Sequence, residues 1–523
     1  MQQHGGAGDL TLQFHKKYPG ELPQSSSSLS RFARQQRTAQ EQRLLAYCLK
    51  ANLQSTTVTS GCCPDQKKGG GGVALNNPNS AGNDANEKER SDCFLYLSEC
   101  LMGGLLARHR IQAGIRNYKL QDYQAAYREW VAATRLCDNR ELFHTLNYLI
   151  SLSFDFGHFQ KMLALSVQQF QIGRFLNERA LIAESYLNLA TSRGLLCNWE
   201  LCLSYCKNCL LYLDATKVGY VYMSIACSYL EMNQFSAAIG FLKLTFDICS
   251  KHENQGLVVQ ALVACSGMFL TLKSYPEARE FAMRAIEVAE TVFSVGPASC
   301  RYRRTKVHVI PVQIKLRQLD DAFRLCEESV RSSLEYHDRY VQAKCLLFFA
   351  DIHRLKSDYE VAYQSYQAAA DSGYQQIQLK ALVGMAKSVI KLSPSDDIRI
   401  RQNKAMGFYN NALELATTLG CKLEIFRLHR RMAKLQSMLE DHPDEVDRHL
   451  RSADGLSDEM QLFCDLCGSL YGLKRSQLKA LSCGHIYHTG CLLEKKRPGS
   501  SQYFCTTCRC FSEDICESFL SLA

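Results

Sequence analysis

"KLQDYQAAYREWVAA", residues 119–133, opens on a turn and then sets Tyr123, Ala126, Trp130 and Ala133 at intervals of three and four. That spacing puts all four side chains on one face of a helix. The frame returns as "EMNQFSAAIGFLKLT" at 231–245, "TLKSYPEAREFAMRA" at 271–285 and "RLKSDYEVAYQSYQAA" at 354–369. Its leading position is Tyr123, Phe159, Trp199, Phe235, Tyr275, Leu319 and Tyr359. Its small position is Ala126, Cys202, Ala238, Ala278, Ala322 and Ala362, with Met162 the exception. Frames follow one another every 36 to 44 residues or so, the period of stacked helical hairpins. Ala at the small site lets paired helices approach closely, and the ring fills the notch between hairpins. At so regular a spacing the rings read as core, not as a ligand box.

Working outward, residues 91–421 are predicted to be wholly helical, because proline almost vanishes and apolar residues recur every three or four positions. Seven frames are present, with a degenerate eighth in "KAMGFYNNALELATTLG" (404–420), behind the polar insertion "SPSDDIRIRQNK". The frame resembles the tetratricopeptide repeat, although intervals near 40 exceed that repeat's usual length of about 34 residues. Residues 422–455 form a further helical, coiled-coil-like segment with an apolar stripe at Leu423, Phe426, Met432, Leu435 and Leu439, interrupted or ended by Pro443. Two readings stand: a cap on the solenoid, or a surface for a partner helix. Residues 1–90 contain "QSSSSLS" and "KKGGGGV" and lack apolar surface to offset ordering, so they are expected to be a disordered extension.

The chain has 523 residues, too many for one ordinary core, and a net charge of +9. So mild a surplus permits contact with an anionic membrane surface and does not argue for nucleic acid. "RYRRTK" at 301–306 reads as a solvated helix start. The 25 cysteines are odd in number and scattered at helical spacing, as small core residues of a reducing compartment would be. With no secretory leader and no long apolar run, the chain reads as cytoplasmic. P-loop, dinucleotide-fingerprint and H-E-x-x-H patterns are missing, which leaves most enzyme classes without support.

The chemistry gathers near the end. Cys464, Cys467, Cys483, His485, His488, Cys491, Cys505 and Cys508 follow the order C-x2-C, C-x-H-x2-H-x2-C, C-x2-C. Eight such ligands fit two closed tetrahedral Zn2+ sites with no position left for a catalytic water. Cys510 and Cys516 lie close by as rivals, but the x2 spacing favours Cys505 and Cys508. The order resembles the RING finger of the two-histidine type, over residues 460–512. Its cross-brace implies one site from Cys464, Cys467, His488 and Cys491, and a second from Cys483, His485, Cys505 and Cys508. The zinc is either purely structural or the mark of a RING-type ubiquitin or Nedd8 ligase. The resemblance implies for a ligase an apolar residue between the first two ligands to dock a ubiquitin-conjugating enzyme, and a basic residue after the last. Leu466 and Arg509 stand there. Thr506 replaces the usual proline, and the usual tryptophan is missing after Cys491.

Hairpin array, helical segment and RING, taken in that order, resemble the rapsyn family, as do "ESYLNLATSRGLL", "LSYCKNCL", "LLFFADIHRLKSDYEVAY" and "LSCGHIYHTGCL". The resemblance covers about 102–510. It implies a postsynaptic scaffold on the cytoplasmic face of the membrane, clustering nicotinic acetylcholine receptors through their intracellular loops, self-associating and linking them to the cytoskeleton. It also implies an N-terminal myristoyl group, which needs glycine after the initiating Met. Gln2 stands there, whereas Met102 and Gly103 in "MGGLLARHR" fall where the family's own start lies relative to the first repeat, with Ala107 in place of the motif's Ser or Thr. A shorter product starting at Met102 and acylated on Gly103 is therefore expected.

Overall fold

The computed structural model describes residues 103–213, 217–392, 397–438, 443–460, 462–471, 477–497 and 499–522; the expected disordered extension, 1–90, lies outside them, as does Leu439. Of the described residues, 103–145 belong to one compact unit and 146–522 to another. The first hairpin pairs α1 (103–119) with α2 (Tyr123–Ala133). The second to fifth are α3 (Asn139–Asp155) with α4 (Phe159–Leu176), α5 (Arg179–Leu195) with α6 (Trp199–Leu210), α7 (Val218–Glu231) with α8 (Phe235–His252), and α9 (Gln255–Thr271) with α10 (Tyr275–Val292). In the sixth, two short helices, α11 (Cys300–Val307) and α12 (Val309–Lys315), precede α13 (Leu319–Glu335). Pro311 explains the break: it has no N–H to offer the Val307 carbonyl, and its ring crowds that carbonyl. The seventh and eighth are α14 (Arg339–Leu355) with α15 (Tyr359–Ala370), and α16 (Gln375–Val389) with α17 (Ile398–Thr418).

Every leading residue read from the sequence is the first residue of its hairpin's second helix. Two positions before it the backbone turns left-handed, at Gln121, Gly157, Cys197, Asn233, Lys273, Arg317 and Ser357, with φ between 62° and 75°. The following N–H then reaches back five residues, as from Ser274 to the Phe269 carbonyl at 2.9 Å and from His158 to Ser153 at 2.8 Å. This left-handed cap satisfies the last carbonyls of the first helix and aims the second one back along it. The small positions are sealed between the helices: Met162 is 3% exposed, Cys202 2%, and all five alanines 0%. Most of the scattered cysteines are core as well; Cys202, Cys206 and Cys209 pack with Ala183, Ala190, Val221 and Ile225. Cys227 differs in being exposed.

Residues 422–460 form a helical hairpin rather than a single interrupted helix, α18 (Lys422–Ser437) packed on α19 (Pro443–Met460). Pro443 begins the second helix, where its missing N–H costs nothing. Leu423, Met432 and Leu435 of the expected stripe are buried, two of them against Tyr409 and Ala412 of α17.

Within 146–522 the array closes on itself. The Tyr374 hydroxyl donates to the Gly157 carbonyl at 3.0 Å, and Arg304 donates to the Phe154 carbonyl at 2.6 Å. Gln376 donates to Glu231 at 2.8 Å, and Arg427 to the Thr271 carbonyl at 2.8 Å. At the seam Phe159, Tyr340 and Tyr374 meet edge to face, with ring centres 5.2 to 5.6 Å apart. Arg304 lies over Phe154, 4.1 Å from the ring centre. Fully buried Asp338 accepts from Arg303 at 3.2 Å and caps α14 through the Val341 N–H at 3.2 Å. Among the described residues no helix is long and apolar enough to cross a membrane.

Candidate metal centres

After α19 the chain builds a small domain from β1 (Leu478–Ala480) antiparallel to β2 (Ile486–His488), then α20 (Thr489–Leu493), then β3 (Gln502–Cys505) antiparallel to β4 (Cys510–Glu513), and ends in α21 (Ile515–Leu522). Its apolar centre is small: Leu481, Tyr487, Leu492 and Tyr503, packed with Cys464 and Cys505.

Cys464 and Cys467 sit on a tight knuckle. The N–H groups of Cys467 and Gly468 both return to the Cys464 carbonyl, at 3.1 and 2.8 Å. Cys483 and His485 come from the turn between β1 and β2, closed by Leu481 N–H on the His485 carbonyl at 2.9 Å. His488 ends β2, Cys491 lies in α20, Cys505 ends β3, and Cys508 is in the loop before β4. The fold gathers these into two groups, Cys464, Cys467, His488 and Cys491, and Cys483, His485, Cys505 and Cys508, each with ligand atoms within 4.8 Å of one another. These are the same two sets of four that the RING resemblance implies.

The spacing inside each group suits a tetrahedral cation. Cys467 Sγ lies 3.4 Å from His488 Nδ1, and Cys483 Sγ lies 3.5 Å from His485 Nδ1. A sulfur and a nitrogen on neighbouring corners around zinc would be about 3.6 Å apart. His488 Nε2 is buried without a hydrogen-bond partner, so a cation at Nδ1 is what would fix this ring's tautomer. The Ser469 N–H is the chief cause that brings the Cys467 thiol down to about 6, while burial, with Cys467 beside it, pushes Cys491 up to about 11. Bound metal would hold both as thiolates.

The rival cysteines separate. Cys516 points into the hairpin interface, where burial raises its thiol far above the usual range, with Asp514, Glu277 and Cys265 adding to the effect. Cys510 is closer, directly across the β3–β4 ladder from Cys505, with Sγ 3.0 Å from Cys508. Leu466 is half-buried against the small core, and Arg509 is exposed in a left-handed turn with φ 55°.

No sequence signal marked how this domain is held. It docks on the fourth and fifth hairpins. Phe519 of α21 stacks on Phe246 of α8 at 4.6 Å, and Leu478 N–H donates to Ser274 Oγ at 3.0 Å. Leu478, Ala480, Ile486 and Ile515 join the same core as Phe269 and Phe281. At Gly484, φ 91°, a Cβ would come within 2.9 Å of the Ser236 carbonyl oxygen, so only glycine permits this approach.

The chain is similar to known proteins along most of its length. The 43 kDa receptor-associated protein of the synapse from Gallus gallus is 31% identical over 418 residues, covering 78% of this chain and 98% of that protein. Its counterpart from Tetronarce californica is 29% identical over 409 residues, covering 75% and 95%. The chain belongs to the rapsyn family. A family model described as "Rapsyn N-terminal myristoylation and linker region" matches residues 102–179. Beyond rapsyn itself, a solved Rap protein complexed with competence and sporulation factor is similar at 13% identity and a TM-score of 0.46, covering 68% of this chain and 98% of that one.

Proposed function

We propose that the chain is a postsynaptic scaffold that clusters nicotinic acetylcholine receptors on the cytoplasmic face of the membrane and ties them to the cytoskeleton. The observation that carries this is the match along nearly the whole length of two proteins named as receptor-associated at the synapse. The closed hairpin array supports it physically, since a scaffold must hold several surfaces in fixed relation. Receptor loops are assigned to the 422–460 hairpin. Both Cys/His groups are assigned to zinc, since three thiolates and one imidazole make one of its closed structural ligand sets. When bound, zinc supplies a crosslink in place of a hydrophobic core; the chain's own residues do the rest. Tyr487 donates to Thr507 or accepts from it at 2.7 Å, and the α21–α8 stacking fixes the domain on the hairpins.

Membrane attachment is assigned to a product that starts at Met102 and is acylated on Gly103. The family model's beginning at Met102 supports this, as do the exposed Leu105 and Leu106 of α1. One myristoyl chain binds weakly, on the order of 10⁴ M⁻¹, so self-association must add to it, with Arg108 and Arg110 contributing only what their pairs with Glu141 and Glu129 leave over.

A ligase reading keeps one observation in its favour: Leu493, after Cys491, is 57% exposed, and neither it, Leu466 nor Arg509 is among the residues that pack the domain on the hairpins. The deciding experiment co-expresses the protein with a nicotinic receptor. Diffuse receptors should gather into patches, and deletion of 422–460 should abolish their capture; an unchanged receptor distribution refutes the scaffold. Autoubiquitination that Leu466→Ala abolishes would instead carry the ligase.

A further inference from the structure

The turn that joins β3 to β4 carries a cysteine that neither metal group uses. Cys510 opens β4 directly opposite Cys505, and Arg509, between it and Cys508, is left-handed with φ 55°. That turn folds two side chains together, so that Cys508 Sγ and Cys510 Sγ are 3.0 Å apart. A disulfide bond is about 2.0 Å long, so an approach of roughly 1 Å separates contact from bond.

Exposure sets this pair apart. Four of the described cysteines are exposed: Cys227, Cys467, Cys508 and Cys510. Cys467 and Cys508 belong one to each metal group, and Cys510 belongs to neither. In the helical array Cys202 and Cys206 share one core cluster and are sealed from any solute. A free, exposed thiol beside a second sulfur is the arrangement an oxidant acts on, because the neighbour captures the first oxidised sulfur.

We infer that Cys510 and Cys508 are an oxidation site for hydrogen peroxide, whose disulfide removes Cys508 from the second metal group and loosens the terminal domain on α8. Cys510 Sγ attacks a peroxide oxygen; the O–O bond breaks, and the thiol proton leaves with the departing hydroxide as water. Cys508 Sγ then attacks the sulfur of the resulting sulfenic acid; the S–O bond breaks, hydroxide leaves and the S–S bond forms. Two electrons pass from the two sulfurs to the peroxide. A disulfide sulfur is no longer a thiolate, so the second group keeps only Cys483, His485 and Cys505.

The effect reaches the hairpins through one turn. Cys483 and His485 flank Gly484, the residue seated so close to the Ser236 carbonyl that a Cβ would come within 2.9 Å of its oxygen. The Ser482 N–H donates to the Glu513 carbonyl at 2.8 Å, so β4 leans on the same turn. Oxidation therefore disturbs this turn twice, by taking a ligand from its group and by pulling on the strand beside it. The stacking of Phe519 on Phe246 lies outside the turn and keeps the domain attached.

This inference rests on the assignment of metal to the second group. In the test, the reduced full-length protein is treated with hydrogen peroxide. Two ions per chain before treatment check the metal assignment separately, and the cross-link is read whether or not metal is present. Trypsin cuts after Arg509, so Cys508 and Cys510 fall in different peptides unless bridged, and fragmentation by mass spectrometry tells Cys508 from Cys505. Expected are a Cys508–Cys510 bridge that dithiothreitol reverses, release of one ion to a chromogenic chelator, and faster hydrogen exchange at 235–240 and 482–486. Cys510→Ser should bind both ions, release the second about tenfold more slowly and leave exchange at 235–240 unchanged. Cys227→Ser, which removes an exposed thiol outside the domain, should behave as the unmodified chain does. A bridge from Cys510 to Cys505 overturns the inference. So does equal release by Cys510→Ser, or a Cys508–Cys510 bridge that leaves exchange on α8 unchanged.

Discussion

The Tyr374 hydroxyl donates to the Gly157 carbonyl at 3.0 Å across 217 positions of sequence. Gly157 is also the only glycine among the seven left-handed residues that precede a frame. The other six carry a side chain there and accept the modest strain. At Gly157 a Cβ would meet Tyr374 Oη at 2.7 Å and Tyr340 Cβ at 2.9 Å. Closure of the array, not the local turn, requires glycine at this position.

Gly157→Ala should therefore cost more than the usual penalty for alanine in a left-handed turn, about 2–4 kcal/mol once the clash with two tyrosines is added. Tyr374→Phe removes only a hydrogen bond and should cost about 0.5–1.5 kcal/mol. Urea unfolding gives both values. Small-angle scattering should show Gly157→Ala expanded, because the seam opens before the hairpins melt.

Metal analysis of the purified protein should find two zinc ions per chain, and Cys491→Ala or Cys505→Ala should each lose the ion of its own group. Strong chelator should then unfold 462–522, since Leu481, Tyr487, Leu492 and Tyr503 are too small a core to stand alone. Hydrogen exchange on α8 and α10 should rise at the same time, as Phe246 and Ser274 lose Phe519 and Leu478. A domain that stays protected without metal would refute this account.

Cys510 allows a sharper test of the second group. With its Sγ 3.0 Å from Cys508, it should replace that ligand, so Cys508→Ala keeps two metal ions and Cys508→Ala with Cys510→Ala keeps one. Cobalt substitution reads this directly, because thiolate-to-cobalt charge-transfer absorption grows with the number of sulfur ligands on the ion. Loss of one ion from Cys508→Ala alone refutes it.

Burial, with Arg431 beside it, pushes the Lys387 ammonium down to about 7. The unfolded chain then binds the extra proton between pH 7 and about 10.4, so this residue makes stability rise with pH across that window and leaves a constant penalty below it. Lys387→Met should stabilise the protein by about 1–2 kcal/mol at pH 6.5, after allowing for the side chain's partial exposure, and the gain should shrink toward pH 10. Thermal melts at the two pH values check the sign.

Cells labelled with an alkyne myristate should show label on a product about a hundred residues shorter than the full chain, lost in Gly103→Ala. A single unlabelled full-length band rules out the short product.

The repeat frame was legible because a hairpin is a local object. Tyr275, Ala278 and Ala285 lie within three helical turns, so their spacing alone marks one helix, its start and its buried face. The pairing of ligands in the metal groups was legible for another reason: C-x2-C knuckles and the interleaved order belong to a resemblance with a fixed cross-brace. Residues 422–460 were read less well. The stripe at Leu423, Met432 and Leu435 says only that one face is buried, and it fits a helix against α19 and α17 as well as one awaiting a partner.

Sequence by itself determined the helical hairpins, the start of each second helix and the eight clustered cysteines and histidines, since each depends on residues a few positions apart or on the chemistry of sulfur and imidazole. Tertiary structure alone decided that the array closes, that Gly157 rather than Asn233 must lack a side chain, and that Phe519 holds the terminal domain on Phe246. The physical reason is accumulation: small rotations between successive hairpins add up over the array, and no single interval in the sequence records where their sum brings Gly157 and Tyr374.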